Sequence, residues 1–383
     1  MTGAPTSEAK RPGKRHVLEA DVLRILTFAC VIAVHTTANT NTDTNVVAGA
    51  LAMLLHFTRE AFFWLTGFVL TLQYGRRSLD VPKFWRRRFW LVGTPYLVWS
   101  GIYLAIAPRP VLPALFEGKA YYHLYFLLVS LQVYLIFPAL AALIRRTVRW
   151  HWLLLAVAAL YQLGYLYLAR DAAPATGPVA VILRHDDIML FSYVYYLVFG
   201  ALCAWHLDRI LGWVARFKPA VAVAVLISGA AAEAAYLHSV HAGQKASTAA
   251  AVLQPIMLLW STAIIAGLFA VGVVVSDRAG AATRRFISWA SDRSFAIFLV
   301  HPAVLSLLLT LGITHGLPRP WVTVVAYVAV VLAAAGLAEL MRRTPMSLPL
   351  TGRPRLASQP VPDPRPFGVL PRARATQKEG IRT

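Results

Sequence analysis

The chain has 383 residues, of which 58% are hydrophobic and 14% are charged, and its mean hydropathy is +0.59. This composition excludes an ordinary soluble domain and is typical of a polytopic membrane protein. The formal net charge of +20 does not indicate a nucleic-acid partner, because most of the 37 Lys and Arg residues lie in the two tails and in short segments between apolar runs.

Ten apolar runs, each long enough or nearly long enough to cross a bilayer, predict an all-α polytopic membrane protein with about ten transmembrane helices. Lys and Arg concentrate in the tails and between alternate runs, so the positive-inside rule predicts that both termini are cytoplasmic. We expect a multi-pass protein of the cell (plasma) membrane that contacts membrane lipids. The ten runs are residues 22–38, 48–74, 89–107, 121–144, 150–169, 188–205, 221–236, 251–275, 295–313 and 321–341.

Three regions follow from this pattern. Residues 1–20 are predicted to form a cytoplasmic tail, and residues 21–341 a ten-helix membrane domain. Residues 342–383 are rich in Pro and Arg and poor in apolar side chains, so we expect a disordered basic tail near the anionic leaflet.

The first run carries two ionisable residues that a simple membrane anchor does not need, Arg24 and His35. Their spacing of eleven residues places both on one helix face, about 16 Å apart along the axis. Ionisable groups inside a bilayer usually face a polar interior, which makes this pair the first candidate for catalysis. Two plainer interpretations stay open, namely that Arg24 anchors the helix at the headgroups and that His35 is a packing residue.

The second run contains Arg59 and Glu60, about 21 Å above its predicted cytoplasmic end. Because consecutive spans usually pack side by side, either residue is expected near His35, to support it or to bind an acceptor. A carboxylate beside an imidazole fixes its tautomer and raises its basicity, as a general base requires. Alternatively, Arg59 and Glu60 satisfy each other or lie in headgroup water.

The ninth run contains His301 directly before Pro302, which removes a backbone hydrogen bond inside a helix. His301 is therefore predicted either to line a cavity at a kink or to satisfy the carbonyl that the proline frees.

A different feature is the basic cluster of Arg86, Arg87 and Arg88 between aromatic residues. It is predicted to bind the phosphates of an anionic substrate at the cytoplasmic mouth, or to be stop-transfer charge alone.

Several kinds of site are not indicated. Cys30 and Cys203 both lie in apolar runs, so neither a disulfide framework nor a cysteine metal site is expected. No G-x-S-x-G, P-loop, G-x-G-x-x-G, H-E-x-x-H or zinc-ligand spacing occurs in the sequence, and we predict no metal.

An ordered set of motifs resembles the acyltransferase-3 family of integral membrane O-acyltransferases over roughly residues 18–341. The set begins with Arg24-x10-His35 and AFFWLTGFVL, and ends with SFAIFLVHP. Between them lie KFWRRRFWLVGTPYLVW, HLYFLLVSLQVYLIFPAL and YYLVFGALCAW. The resemblance assigns the family's conserved Arg and His to Arg24 and His35 and its late His to His301.

This resemblance implies transfer of an acyl group, expected to be acetyl from acetyl-CoA, to a hydroxyl of a glycan, glycolipid or glycosylated metabolite. Acyl-CoA would be a co-substrate, and no tightly bound cofactor is expected. His35 would act as general base, or itself carry the acyl group, and both roles need a neutral imidazole. The alternative is a transporter or exporter of an acylated or polymeric glycan, in which the same buried charges form a substrate or proton path.

Overall fold

The computed structural model describes residues 17–170 and 186–356, and within these stretches all regular secondary structure is helical. The predicted all-α architecture is therefore confirmed. The helices are α1 (Leu18–Thr40), α2 (Val46–Leu55), α3 (Thr58–Leu70), α4 (Val81–Ile106), α5 (Val111–Phe116), α6 (Tyr125–Arg146), α7 (His151–Arg170), α8 (Val194–Trp205), α9 (Leu207–Arg216), α10 (Lys218–His241), α11 (Ala246–Ala249), α12 (Pro255–Arg278), α13 (Ala281–Thr310), α14 (Arg319–Arg343) and α15 (Ser347–Thr351).

The apolar helices make this a polytopic membrane protein. Among the described residues, eight helical segments are long and apolar enough to cross a membrane. A ninth candidate is the segment Leu190–Trp205 together with α9, which are bent by 92° relative to each other. Helix α1 is not among these nine, but its 23 residues extend about 35 Å and it accounts for the first predicted run. All ten predicted runs thus coincide with helical segments, while the cytoplasmic placement of the termini stays a prediction.

Two of the predicted runs are interrupted, and both interruptions shape the site described below. The second run is divided at His56 and Phe57 into α2 and α3. The His56 ring hydrogen-bonds the Ala250 carbonyl, with 2.7 Å between Nδ1 and the oxygen. In the fourth run, helix α6 begins only at Tyr125, after a stretch of turns. Hydropathy alone did not reveal either break, because the residues at the breaks are themselves aromatic or surrounded by apolar residues.

Helix α1 lies at the centre of the bundle and contacts α2, α3, α12, α13 and α14. Arg24 of α1 contacts Ser291 of α13, and His35 contacts His301 of the same helix. Because residue numbers rise together along both helices, α1 and α13 are parallel neighbours. The polar residues of the two helices therefore meet at two levels, which we call the Arg24 level and the His35 level.

Helices α3 and α8 approach each other very closely through Gly67 and Gly200. A Cβ atom at Gly67 would collide with the Leu197 carbonyl, and one at Gly200 would collide with the Trp64 carbonyl. Small residues at such contacts let two membrane helices pack backbone to backbone. This contact holds α3, and with it Arg59, in a fixed position.

The beginning of the predicted disordered tail is folded in the structure. Residues 342–356 include helix α15 and pack against the bundle, where the Leu350 carbonyl accepts a hydrogen bond of 3.0 Å from the Trp99 indole. Arg342 and Arg353 both pair with Asp292, at 2.9 Å. The prediction of disorder from residue 342 is wrong for residues 342–356. Arg342 and Arg353 were counted as charges of the tail, but in the structure both pair with Asp292, which is partly buried. Residues 357–383 lie outside the described part of the chain.

Candidate active site

The Arg24 level is a closed polar network. Arg24 Nη1 lies 2.9 Å from Asp21 Oδ1 and 2.8 Å from Ser291 Oγ, and the Ser291 hydroxyl donates to the same Asp21 oxygen at 2.6 Å. The positive charge is therefore matched by a carboxylate one turn earlier on the same helix. The plainer interpretation of Arg24 as a headgroup anchor does not describe this arrangement, since its partners are inside the bundle.

The His35 level is built on a proline defect in α13. Pro302 has no backbone N–H, so the Phe298 carbonyl four residues earlier loses its helical donor. His301 Nδ1 lies 2.7 Å from that oxygen and replaces the missing donor. Beside it, the Tyr103 hydroxyl donates to the Leu299 carbonyl at 2.8 Å and accepts from the Ala303 amide at 3.2 Å. Side chains thus satisfy the backbone groups disturbed by the proline.

These contacts determine which ring nitrogens carry protons. A carbonyl oxygen can only accept, so His301 Nδ1 must be protonated, and in the neutral ring His301 Nε2 is then an acceptor. His35 Nδ1 lies 2.9 Å from His301 Nε2 and is consequently the donor of that bond. In neutral His35 the proton is on Nδ1, which leaves Nε2 with a free lone pair. The geometry therefore prepares His35 Nε2 to accept a proton.

Of the two roles that the sequence left open, the structure shows the second, because His301 satisfies the freed carbonyl and is not among the residues that line the cavity described below. It satisfies the freed Phe298 carbonyl through Nδ1 and, through Nε2, it orients His35. The side chain is completely buried, and the His35 and His301 rings are stacked with their centroids 5.1 Å apart. The partner that fixes the His35 tautomer is thus His301, whereas the sequence had suggested Glu60.

A cavity of about 260 Å³ lies against this histidine pair. Its volume is slightly below the roughly 300–1,000 Å³ typical of small-molecule sites, so it suits one small group such as a single sugar ring. The walls are mainly apolar and aromatic, with a few polar side chains between them. The lining residues are Val31, Val34, His35, His56, Thr58, Arg59, Phe62, Tyr122, His123, Tyr125, Phe126, Val252 and Phe298.

Arg59 and Glu60 are neighbours in the first turn of α3, but only Arg59 lines the cavity. Arg59 lines the cavity, and its hydrogen bond within the described chain is a long one, 3.4 Å to the Tyr125 hydroxyl. Glu60 is not part of the cavity wall; it is 2% exposed, and its Oε2 has no hydrogen-bond partner among the described residues. No ion pair joins the two side chains at contact distance, although their opposite charges attract each other.

Arg86, Arg87 and Arg88 lie in the first turns of α4 and not at the cavity. Arg86 and Arg87 are exposed. Arg88 donates to Gln73 at 2.9 Å and lies over the rings of Tyr74 and Phe84. At this end of the bundle, two of the three guanidinium groups are free to meet a ligand.

His123 is a functional candidate that sequence reasoning missed. It is 2% exposed, its ring centroid lies 5.7 Å from that of His301, and neither of its ring nitrogens has a hydrogen-bond partner among the described residues. The signal was available, because His123 opens the motif HLYFLL; Tyr122 and His56 carried no comparable signal.

A comparison with protein families matches the model described as "Acyltransferase domain", the acyltransferase-3 model, to residues 17–339. The chain belongs to the acyltransferase-3 family. The match covers the helices that carry both polar levels and the cavity. No curated protein and no solved structure matches the chain.

The acyltransferase is thus a membrane enzyme that transfers acyl groups other than aminoacyl groups. In the described part of the acyltransferase, no cluster of three or more His, Cys, Asp or Glu residues is arranged to hold a metal ion. The polar side chains that line the cavity are imidazoles, phenols, one threonine hydroxyl and one guanidinium, which suit proton transfer and hydrogen bonding.

Proposed function

We propose that this acyltransferase moves an acyl group, specifically acetyl, from acyl-CoA to a hydroxyl of a glycan, glycolipid or glycosylated metabolite at the plasma membrane. The observation that carries the proposal is the hydrogen-bonded series from the Phe298 carbonyl through His301 to His35, which leaves His35 Nε2 as an acceptor at the cavity. Such a nitrogen is what an acceptor hydroxyl needs as a general base.

In the proposed reaction, His35 Nε2 takes the proton of the acceptor hydroxyl while its oxygen attacks the thioester carbonyl. The C–S bond then breaks, the acyl group remains on the acceptor oxygen as an ester, and the CoA thiolate receives the proton. During the attack His35 becomes an imidazolium, whose Nδ1–H continues to donate to His301 Nε2. His301 therefore positions the base and does not itself contact the reacting atoms.

The phosphates of the acyl donor, acyl-CoA, are assigned to the Arg24 level. Arg24 uses Nη1 for both of its hydrogen bonds, so within the described chain Nε and Nη2 remain unbonded. Arg86 and Arg87 add exposed positive charge for the CoA phosphates. The rings of Phe28, Phe62 and Phe298 contact one another between the two levels, with Phe28 and Phe62 4.5 Å apart. Delivery of the thioester to His35 therefore requires these rings to move.

Product formation by the purified protein tests this proposal. Protein in nanodiscs is incubated with acetyl-CoA and a membrane glycan extract, and products are analysed by mass spectrometry. We expect a mass increase of one acetyl group in a glycan, dependent on acetyl-CoA and lost in His35→Ala. Transport that depends on a coupling ion, without any acylated product, would instead identify a transporter.

A further inference from the structure

Arg59 is a deeply placed cation with no carboxylate within ion-pair distance in the described chain, although the neighbouring Glu60 attracts it electrostatically. It makes no ion pair, and its one hydrogen bond is the 3.4 Å contact with the Tyr125 hydroxyl, whose ring centroid is 6.0 Å from the guanidinium carbon. A guanidinium has five N–H donors, and a buried charge is costly unless it is paired and hydrogen-bonded. The partial exposure of Arg59 is at the cavity, which it lines.

The backbone at the start of α3 adds positive potential at this wall, which Glu60 in the same turn offsets in part. Thr58 and Arg59 are the first two residues of the helix, both line the cavity, and the residue before them provides no side-chain cap. The first amide groups of a helix have no intrahelical acceptor and favour a negative ligand. The backbone and the Arg59 side chain therefore attract the same kind of group.

The remaining polar atoms of the cavity describe the rest of the ligand. His56 Nδ1 donates to the Ala250 carbonyl at 2.7 Å, so in the neutral ring His56 Nε2 is an acceptor, as His35 Nε2 is. His123 also lines the cavity, and its two ring nitrogens have no partner among the described residues. These imidazole nitrogens match hydroxyl groups. The aromatic walls offer apolar faces of the size of a sugar ring, and Arg59 adds a site for an oxyanion.

We infer that the acceptor is a hydroxylated ring compound bearing an oxyanion, a carboxylate or a phosphate, which Arg59 binds while His35 meets the hydroxyl. This inference rests on the proposed function for the fate of that hydroxyl, but binding of the anionic group does not depend on turnover. A neutral acceptor of the same shape would leave Arg59 unpaired and should bind much more weakly.

Binding of three probes to the full chain in nanodiscs tests the inference, measured by calorimetry without acyl donor. Methyl β-glucuronide and methyl β-glucoside differ only in the carboxylate, and glucose 1-phosphate offers a phosphate. We expect one anionic probe to bind the wild type about 10- to 100-fold more tightly than methyl β-glucoside. Which of the two does so distinguishes a carboxylate-bearing from a phosphate-bearing acceptor.

Variants at position 59 assign the preference to this guanidinium. Arg59→Gln should bind charged and neutral probes alike, and Arg59→Lys should retain part of the preference because it keeps the charge without the planar fork. Arg149→Gln, which removes an exposed arginine elsewhere, should bind as the wild type does. Equal binding of all three probes by the wild type, or a preference that survives in Arg59→Gln, would overturn the inference.

Stability of the ligand-free protein gives a second readout that a purely structural arginine would not share. Removal of an unpaired buried charge should leave the melting temperature of Arg59→Gln equal to or above that of the wild type. A large decrease would show that Arg59 holds the fold together.

Anion binding through Arg59 without any acylated product would refute the proposed function alone, whereas equal acylation of neutral and anionic acceptors would refute only the inference drawn here.

Discussion

At the Arg24 level, the contact between α1 and α13 contains a cation, a carboxylate and a hydroxyl that hydrogen-bond to one another. At the His35 level, about 16 Å along the same two helices, the contact consists of two histidines, and the nearby guanidinium of Arg59 has no carboxylate partner. Within the described chain, the cation of the first level has a carboxylate at ion-pair distance and that of the second level has none, so we call the first level complete and the second incomplete. We take the incomplete level to be where acceptor binding and proton transfer occur.

The largest expected effect comes from removing the proton acceptor at the incomplete level. His35→Ala should lower kcat by about 10²-fold or more, because proton transfer is needed only as the bond to the acceptor forms. Donor binding, measured separately by calorimetry, should change little. A His35→Ala protein with near-normal kcat would refute the mechanism proposed here.

The next effect tests whether His301 acts through His35. His301→Leu removes both the donor to the Phe298 carbonyl and the acceptor for His35, so kcat should fall by about 10- to 100-fold. In the double variant with His35→Ala, the loss should be no greater than in His35→Ala alone, because the two residues act as a unit. If the fold-decrease in kcat of the double variant equals the product of the two single decreases, His301 contributes independently of His35. Thermal melts of all three variants show whether any decrease in kcat comes from misfolding.

A smaller and different effect is expected at the complete level. Arg24→Ala should raise the apparent KM for acetyl-CoA by about 10-fold, with Arg24→Lys between it and the wild type. It should also lower the free energy of unfolding by about 1–3 kcal/mol, since the contact between Arg24 and Asp21 is lost. Ser291→Ala, which keeps the Arg24–Asp21 pair, serves as the control for the loss of one hydrogen bond. A loss of kcat alone, with donor affinity intact, would place Arg24 in the chemistry.

The smallest effect is expected from a substitution of Glu60, which tests whether Glu60 as well as His301 supports His35. Because Glu60 does not line the cavity and the hydrogen-bond partner of His35 is His301, Glu60→Gln should leave the acidic limb of the pH–activity profile where it is. The measurement is kcat/KM for the acceptor between pH 5 and 8 in both proteins. A displaced acidic limb, at normal expression, would show that Glu60 acts on His35 at a distance.

The sequence predicted the helical architecture and placed Arg24, His35 and His301 on helices that are neighbours in the structure. Periodicity was enough for this, because a spacing of eleven residues fixes a helix face whatever the neighbours are. It could not reveal that Ser291, 267 residues after Arg24, hydrogen-bonds to both members of the Arg24–Asp21 pair. Nor could it show the two breaks that bring His56 and His123 to the cavity, since these depend on contacts with Ala250 and with α13.

The folded C-terminal segment has a practical consequence for making a minimal enzyme. The family match ends at residue 339, and a gene shortened at that point would encode neither Arg342 nor Arg353. Both pair with Asp292, the direct neighbour of Ser291 in the network around Arg24. Such a protein would carry Asp292 without these two cations, beside the contact that aligns α1 with α13. A stop codon after Leu356 keeps the whole arrangement, so expression trials of shortened versions should begin there.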